Sequence, residues 1–144
     1  MTVTPDASFL VSLYGGDVNT PVARAWMVSH AEPVIVTLAL RFETENALRL
    51  ACFRSVISAA ELQHALADIE TDFALGILLA RNLSSTSHWS EYSCLSAAHT
   101  LTLGVRAYDI THVASALLLR ADTFLSFDQK QRMLAVAEGL TVAP

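Results

Sequence analysis

The chain has 144 residues, 53% of them hydrophobic and 16% charged, a length that suits one domain with a buried core. Its net charge of −5 and pI of about 5.4 argue against a general electrostatic nucleic-acid binder, which carries a basic patch, although eight of its nine basic residues are Arg. No apolar stretch is long enough to span a bilayer, and no basic segment followed by an apolar signal core opens the chain, so a cytoplasmic protein with an oily core and an oily partner surface is expected.

The elements alternate along the chain. Val3 to Asp6 reads as a strand, and Ala7 to Tyr14 as a helix stopped by Gly15-Gly16. Asn19 or Thr20, with Pro21 behind, starts a second helix through Trp26 to His30. Pro33 to Val36 is a second strand, and Leu38 to Phe53 a helix. Ser58-Ala-Ala-Glu61 is a capping box opening a helix to Asp72, and the apolar run Phe73 to Leu79 is a third strand. The loop around Ser84 feeds a helix from Ser87 to Leu103, ended at Gly104, and Asp109 to Leu119 forms the next. Thr123 to Ser126 is a strand, Gln129 to Ala137 a helix stopped by Gly139, and Leu140 to Val142 a last strand. Short apolar strands between amphipathic helices predict an α/β layer fold with a parallel sheet, whose ligands bind at the carboxyl ends of the strands.

Four acidic residues stand in apolar surroundings: Asp6, Glu43, Asp109 and Asp128. A carboxylate there is costly unless compensated, and a hard divalent cation is a natural compensator. Asp6, Asp109 and Asp128 each precede a helical stretch, so each also suits an N-cap, a role compatible with metal binding. Glu43 has no cap role. Helical projection places it mid-face among Leu40, Phe42, Asn46, Ala47, Leu50 and Phe53, whereas Arg41, Glu45 and Arg49 form an i,i+4 series on the other side. His112 reads as a hydrogen-bonded core histidine. Ser8 and Ser126 lie two residues from Asp6 and Asp128, placed either to orient a metal-bound water or to cap turns. Asp17 belongs to a turn, while Asp68, Glu70 and Asp72 read as a solvated helix end. Cys52 and Cys94 read as buried thiols, since neither has a Cys or His neighbour at zinc spacing. No Gly-x-Ser-x-Gly elbow and no phosphate-cradling Gly loop is present.

In order, Asp6-x-Ser8-x-Leu10, Phe42-Glu43-x-x-Asn46-Ala47-Leu48, Asp109-x-x-His112-x-Ala114-x-Ala116 and Ser126-Phe127-Asp128 resemble the PIN-domain family, and within it the VapC-type toxins of toxin–antitoxin pairs. The ending from Phe127 to Val142 is also similar, so the likeness covers Asp6 to Val142. One departure is Pro5 directly before Asp6, where the family has an apolar residue; it shortens or bends the first strand.

The resemblance implies a single PIN-like domain over 1–144, a three-layer α/β sandwich with a short parallel sheet of four to five strands flanked by helices. It implies a Mg²⁺- or Mn²⁺-dependent endoribonuclease that hydrolyses RNA phosphodiester bonds. Asp6, Glu43 and Asp109 hold one ion on this reading, and Asp128 completes that shell or helps bind a second. The implied partners are RNA, a cognate antitoxin and a second copy of the chain in a homodimer, with no membrane. Arg24, Arg41, Arg81, Arg106, Lys130 and Arg132 are the candidates for phosphate contact. Two other readings use the same scaffold: a protein-interaction module without significant nuclease activity, and a housekeeping nuclease without an antitoxin.

Overall fold

The computed structural model describes residues 1–144, apart from the side chains of Ser85 and Ser87. Five strands, β1 (Val3–Pro5), β2 (Val34–Thr37), β3 (Leu78–Arg81), β4 (Thr123–Leu125) and β5 (Thr141–Ala143), form one parallel sheet in the order β3-β2-β1-β4-β5. Seven helices connect them: α1 (Ala7–Gly15), α2 (Thr20–Ser29), α3 (Leu38–Phe53), α4 (Ala59–Ala74), α5 (Ser85–Leu103), α6 (Ala107–Leu118) and α7 (Gln129–Ala137). No helix among the described residues is long and apolar enough to cross a membrane.

The pleat of the sheet sorts these helices into two layers. Val3, Val34, Val36, Leu78 and Leu125 join the apolar cluster of α1 and α2, onto which α3 and α4 pack. Phe124, one residue before Leu125, points the other way and joins α5, α6 and α7. Successive strand residues face opposite sides, so three layers follow from one short apolar run. Both layers are filled by fully buried side chains such as Phe9, Phe124, Leu48 and Leu134.

Pro5 leaves its mark on the central strand. The Asp6 N–H donates to Leu125 O on β4 (2.9 Å), so alternation points the position before it toward β2, where proline has no donor. β1 accordingly pairs with β2 only through Val3 and Val34, but with β4 at three positions. The chain leaves the sheet at Asp6, which caps α1 through its side chain.

Three sequence expectations need correction. The run from Phe73 to Leu79 is not a strand throughout, because α4 continues to Ala74 and β3 begins at Leu78; Gly76, at φ 74°, makes the left-handed turn between them. Phe73 thus packs as a helical residue and carries the Arg41 guanidinium over its ring at 4.8 Å. Asp72 is half-buried, unlike the exposed Asp68 and Glu70: it accepts a 2.5 Å hydrogen bond from Tyr14, whose pKa burial and that bond push upward. Cys94 is exposed and Cys52 only half-buried. The Ser58–Glu61 capping box is present as expected, with Glu61 accepting from the Ser58 N–H at 2.7 Å.

Candidate active site

Asp6 and Asp128 sit just beyond the carboxyl ends of β1 and β4, neighbouring strands of the sheet, where open parallel sheets place ligands. Asp6 is wholly buried. Its Oδ1 accepts from the Ser8 hydroxyl (2.6 Å) and the Phe9 N–H (2.9 Å), and its Oδ2 from the Ser126 hydroxyl (2.5 Å). Burial pushes its carboxyl above the ordinary range; the hydrogen bonds from Ser126, Ser8 and Phe9, and the nearby His112, work against that shift without cancelling it.

The two serines also lock the loop that carries Asp128. Ser8 Oγ accepts from the N–H groups of Phe127 (2.9 Å) and Asp128 (3.1 Å), and Ser126 Oγ from that of Asp128 (3.0 Å). Asp128 caps α7 with one oxygen, Oδ1, which accepts from Lys130 N (2.9 Å) and Gln131 N (3.0 Å). Its Oδ2 is turned toward Arg106 Nη2, 3.7 Å away.

Asp109 is not an N-cap. α6 starts two residues earlier, and Asp109 is its third residue, reaching back to the Arg106 N–H at 2.7 Å. Only 1% of Asp109 is exposed, because Ile110, Val113 and Ala114 draw the helix into the core. The Arg106 guanidinium meets both Asp109 oxygens, Nε to Oδ2 and Nη2 to Oδ1, each at 3.1 Å. Those hydrogen bonds to Asp109 raise the Arg106 pKa above its usual value, with smaller contributions from Asp128 and Glu43.

Glu43 differs most from its expectation. The buried stripe of α3 is Leu40, Thr44 and Leu48, while Phe42 and Phe53 are 66% and 85% exposed. Glu43 therefore lies at the margin of the buried face, with a side chain 31% exposed, and it is not unpartnered. The fully buried His112, one turn along α6 from Asp109, donates its Nε2–H to Glu43 Oε2. Glu45 pairs with Arg41 (2.8 Å) and Arg49 (3.2 Å) as the i,i+4 spacing predicts.

Asp6 is thus tied through Ser8 and Ser126 to the Asp128 loop, and Asp109 and Asp128 meet at Arg106; Glu43 pairs with His112 alone, near enough to Arg106 to feel its charge. Hard carboxylate oxygens are the donor type that Mg²⁺ and Mn²⁺ take. In this arrangement no three acidic, histidine or cysteine side chains among the described residues form a group able to hold a metal ion, and the Arg106 guanidinium lies between Asp109 and Asp128. The donor set fits a divalent ion; the positive charge within it belongs to Arg106. A cavity of about 630 Å³ lies elsewhere, at the amino ends of β2 and β3 beside Pro33, Gly76 and Ile77. The Arg106–Asp109–Asp128 ion pairs lie at the opposite edge.

A family model described as a PIN domain matches residues 3–137. The chain belongs to the PIN-domain family. Solved structures carry the same fold: VapC20 of Mycobacterium tuberculosis, described as a sarcin–ricin loop cleaving toxin, superposes with a TM-score of 0.72 at 17% identity, covering 97% of each chain. FitAcB of Neisseria gonorrhoeae superposes with a TM-score of 0.64 at 14% identity, covering 99% of this chain and 97% of the other. No curated protein matches by sequence. In this PIN domain, the sequence offers the four acids as candidates but does not show the Arg106 fork or the His112–Glu43 pair. The i,i+3 spacing of Arg106 and Asp109 was the available signal for the first.

Proposed function

We propose that this PIN domain is a metal-dependent endoribonuclease, acting as the toxin of a toxin–antitoxin pair. The observation that carries the reading is the gathering of Asp6, Glu43, Asp109 and Asp128, from four separate segments, at one edge of the sheet. Asp6, Glu43 and Asp109 would hold Mg²⁺ or Mn²⁺, with Asp128 Oδ2 completing the shell or serving a second ion. A bound ion supplies acidification of a water and neutralisation of phosphate charge. The chain's own groups do the rest. Ser8 and Ser126 hold Asp6 and the Asp128 loop in fixed register, and His112 keeps Glu43 turned to the site. Arg106 and Lys130, at the rim, offer positive charge to the RNA backbone. Lys130 is anchored on Gly104 O at 2.8 Å.

VapC20, the toxin with the same fold, acts on the sarcin–ricin loop, which supports structured RNA as the substrate class to try first. The exposed Phe42 and Phe53 on α3 support a protein partner, as an antitoxin or a homodimer would supply. The same apolar residues favour the interaction-module reading if catalysis is absent. The deciding test is cleavage of structured RNA by purified protein in EDTA, Mg²⁺ or Mn²⁺, beside Asp6→Asn/Asp109→Asn. The expected result is metal-dependent cutting that the double variant loses. Equal inactivity of both proteins on a panel of RNAs would move the reading to the interaction module.

A further inference from the structure

Among the described residues, the only cationic side chain paired with two of the site carboxylates is Arg106. Lys130 Nζ and Arg132 Nη1 lie on the same edge, but both donate to backbone carbonyls rather than to a site carboxylate, Gly104 O for the lysine and Ser126 O and Pro144 O for the arginine. The anion and the cation of the Arg106–Asp109 pair differ in freedom. The Asp109 side chain is 2% exposed, fixed by the helix it opens, whereas the Arg106 side chain is 71% exposed. The guanidinium can therefore rotate into water without moving the backbone.

We propose that Arg106 is a built-in counter-cation of the carboxylate site, occupying it in the metal-free protein and competing with a divalent ion for Asp109 and Asp128. The inference rests on the metal-dependent reading above and adds a competitor to it. When the guanidinium leaves, the Arg106 backbone N–H still holds Asp109 Oδ2, at 2.7 Å. Asp109 Oδ1 and Asp128 Oδ2, the two oxygens facing Nη2, are then released together. Charge sets the direction of the exchange. Two carboxylates carry two negative charges, which one guanidinium half-neutralises and a divalent ion neutralises fully, with Glu43 close enough to Arg106 to add to the field. The arginine keeps a buried carboxylate compensated until the ion arrives, at the cost of weakening the ion's apparent affinity.

The test is Mn²⁺ binding to the metal-free, full-length protein, followed by the electron paramagnetic resonance signal of free Mn²⁺, for wild type, Arg106→Gln and Arg106→Lys. Arg106→Gln should bind on the order of tenfold more tightly, and Arg106→Lys should stay near wild type because it retains the charge. In wild type, the Arg106 Nε–H resonance should be protected in EDTA and lose protection on saturation with Mg²⁺. Equal or weaker Mn²⁺ binding by Arg106→Gln overturns the competition while leaving the metal-dependent reading intact, as does an Nε–H signal that Mg²⁺ leaves unmoved. Failure of every protein to bind Mn²⁺ overturns both.

Discussion

Asp6 and Asp109 are equally shut off from water, and the fold compensates them by opposite means. Asp6 receives three neutral donors, from Ser8, Ser126 and Phe9, whereas Asp109 receives a guanidinium fork and a backbone N–H. The neutral donors leave a net desolvation cost, visible as the raised pKa of Asp6. The fork cancels charge but can be given up to solvent, because Arg106 is mostly exposed. Buried neutral donors therefore fix one carboxylate, while an exposed cation neutralises the other.

The largest test of that contrast is catalytic. Asp6→Asn and Asp109→Asn should each lower RNA cleavage by roughly 10³-fold, the rate equivalent of several kcal/mol of ion-supplied stabilisation. Single-turnover assays at saturating Mg²⁺ check this. Stability should separate the two sites: Asp6→Ala strands two hydroxyls and an N–H and should cost about 3 kcal/mol in urea unfolding in EDTA. Asp109→Ala should cost less, because Arg106 can turn to water; equal costs would erase the distinction. Next, His112→Ala should weaken Mn²⁺ binding about 10- to 100-fold by freeing Glu43, which calorimetry can measure.

The pH response sharpens the comparison further. A carboxyl whose folded pKa is raised stabilises fully below its unfolded value, and that contribution is lost as pH rises through the folded value. Metal-free wild type should thus lose Tm relative to Asp6→Asn as pH climbs from about 4 through the raised value. A gap independent of pH would mean that the neutral donors fully offset burial. The smallest effect is a control far from both carboxylates: Ser58→Ala should cost about 1 kcal/mol through its lost helix cap, with RNA cleavage unchanged.

Much of this architecture was legible in local patterns. Alternating short apolar runs and helices predicted the parallel sheet, and Asp6 and Asp128 followed strands as ligand positions do. The reading failed where helical phase was judged from hydrophobicity alone. On α3 the buried stripe runs through Thr44, while Phe42, Leu50 and Phe53 are exposed, so the apolar projection pointed to the wrong face. Phe73 lies at a helix end rather than at a strand start, and a short apolar run does not distinguish the two.

The sequence by itself determined the layered α/β fold and the caps at Asp6, Ser58 and Asp128, and it singled out four carboxylates as candidates, because strand alternation, N-cap preference and desolvation cost act within a few residues of each side chain. Only the tertiary structure decided the distant partners that compensate Asp6 and Glu43. Ser8 and Ser126 meet at Asp6 across 118 positions of chain, and His112 meets Glu43 across 69. Such partners are chosen by strand order and by helix packing on the sheet, and neither is written in the spacing around any one acid.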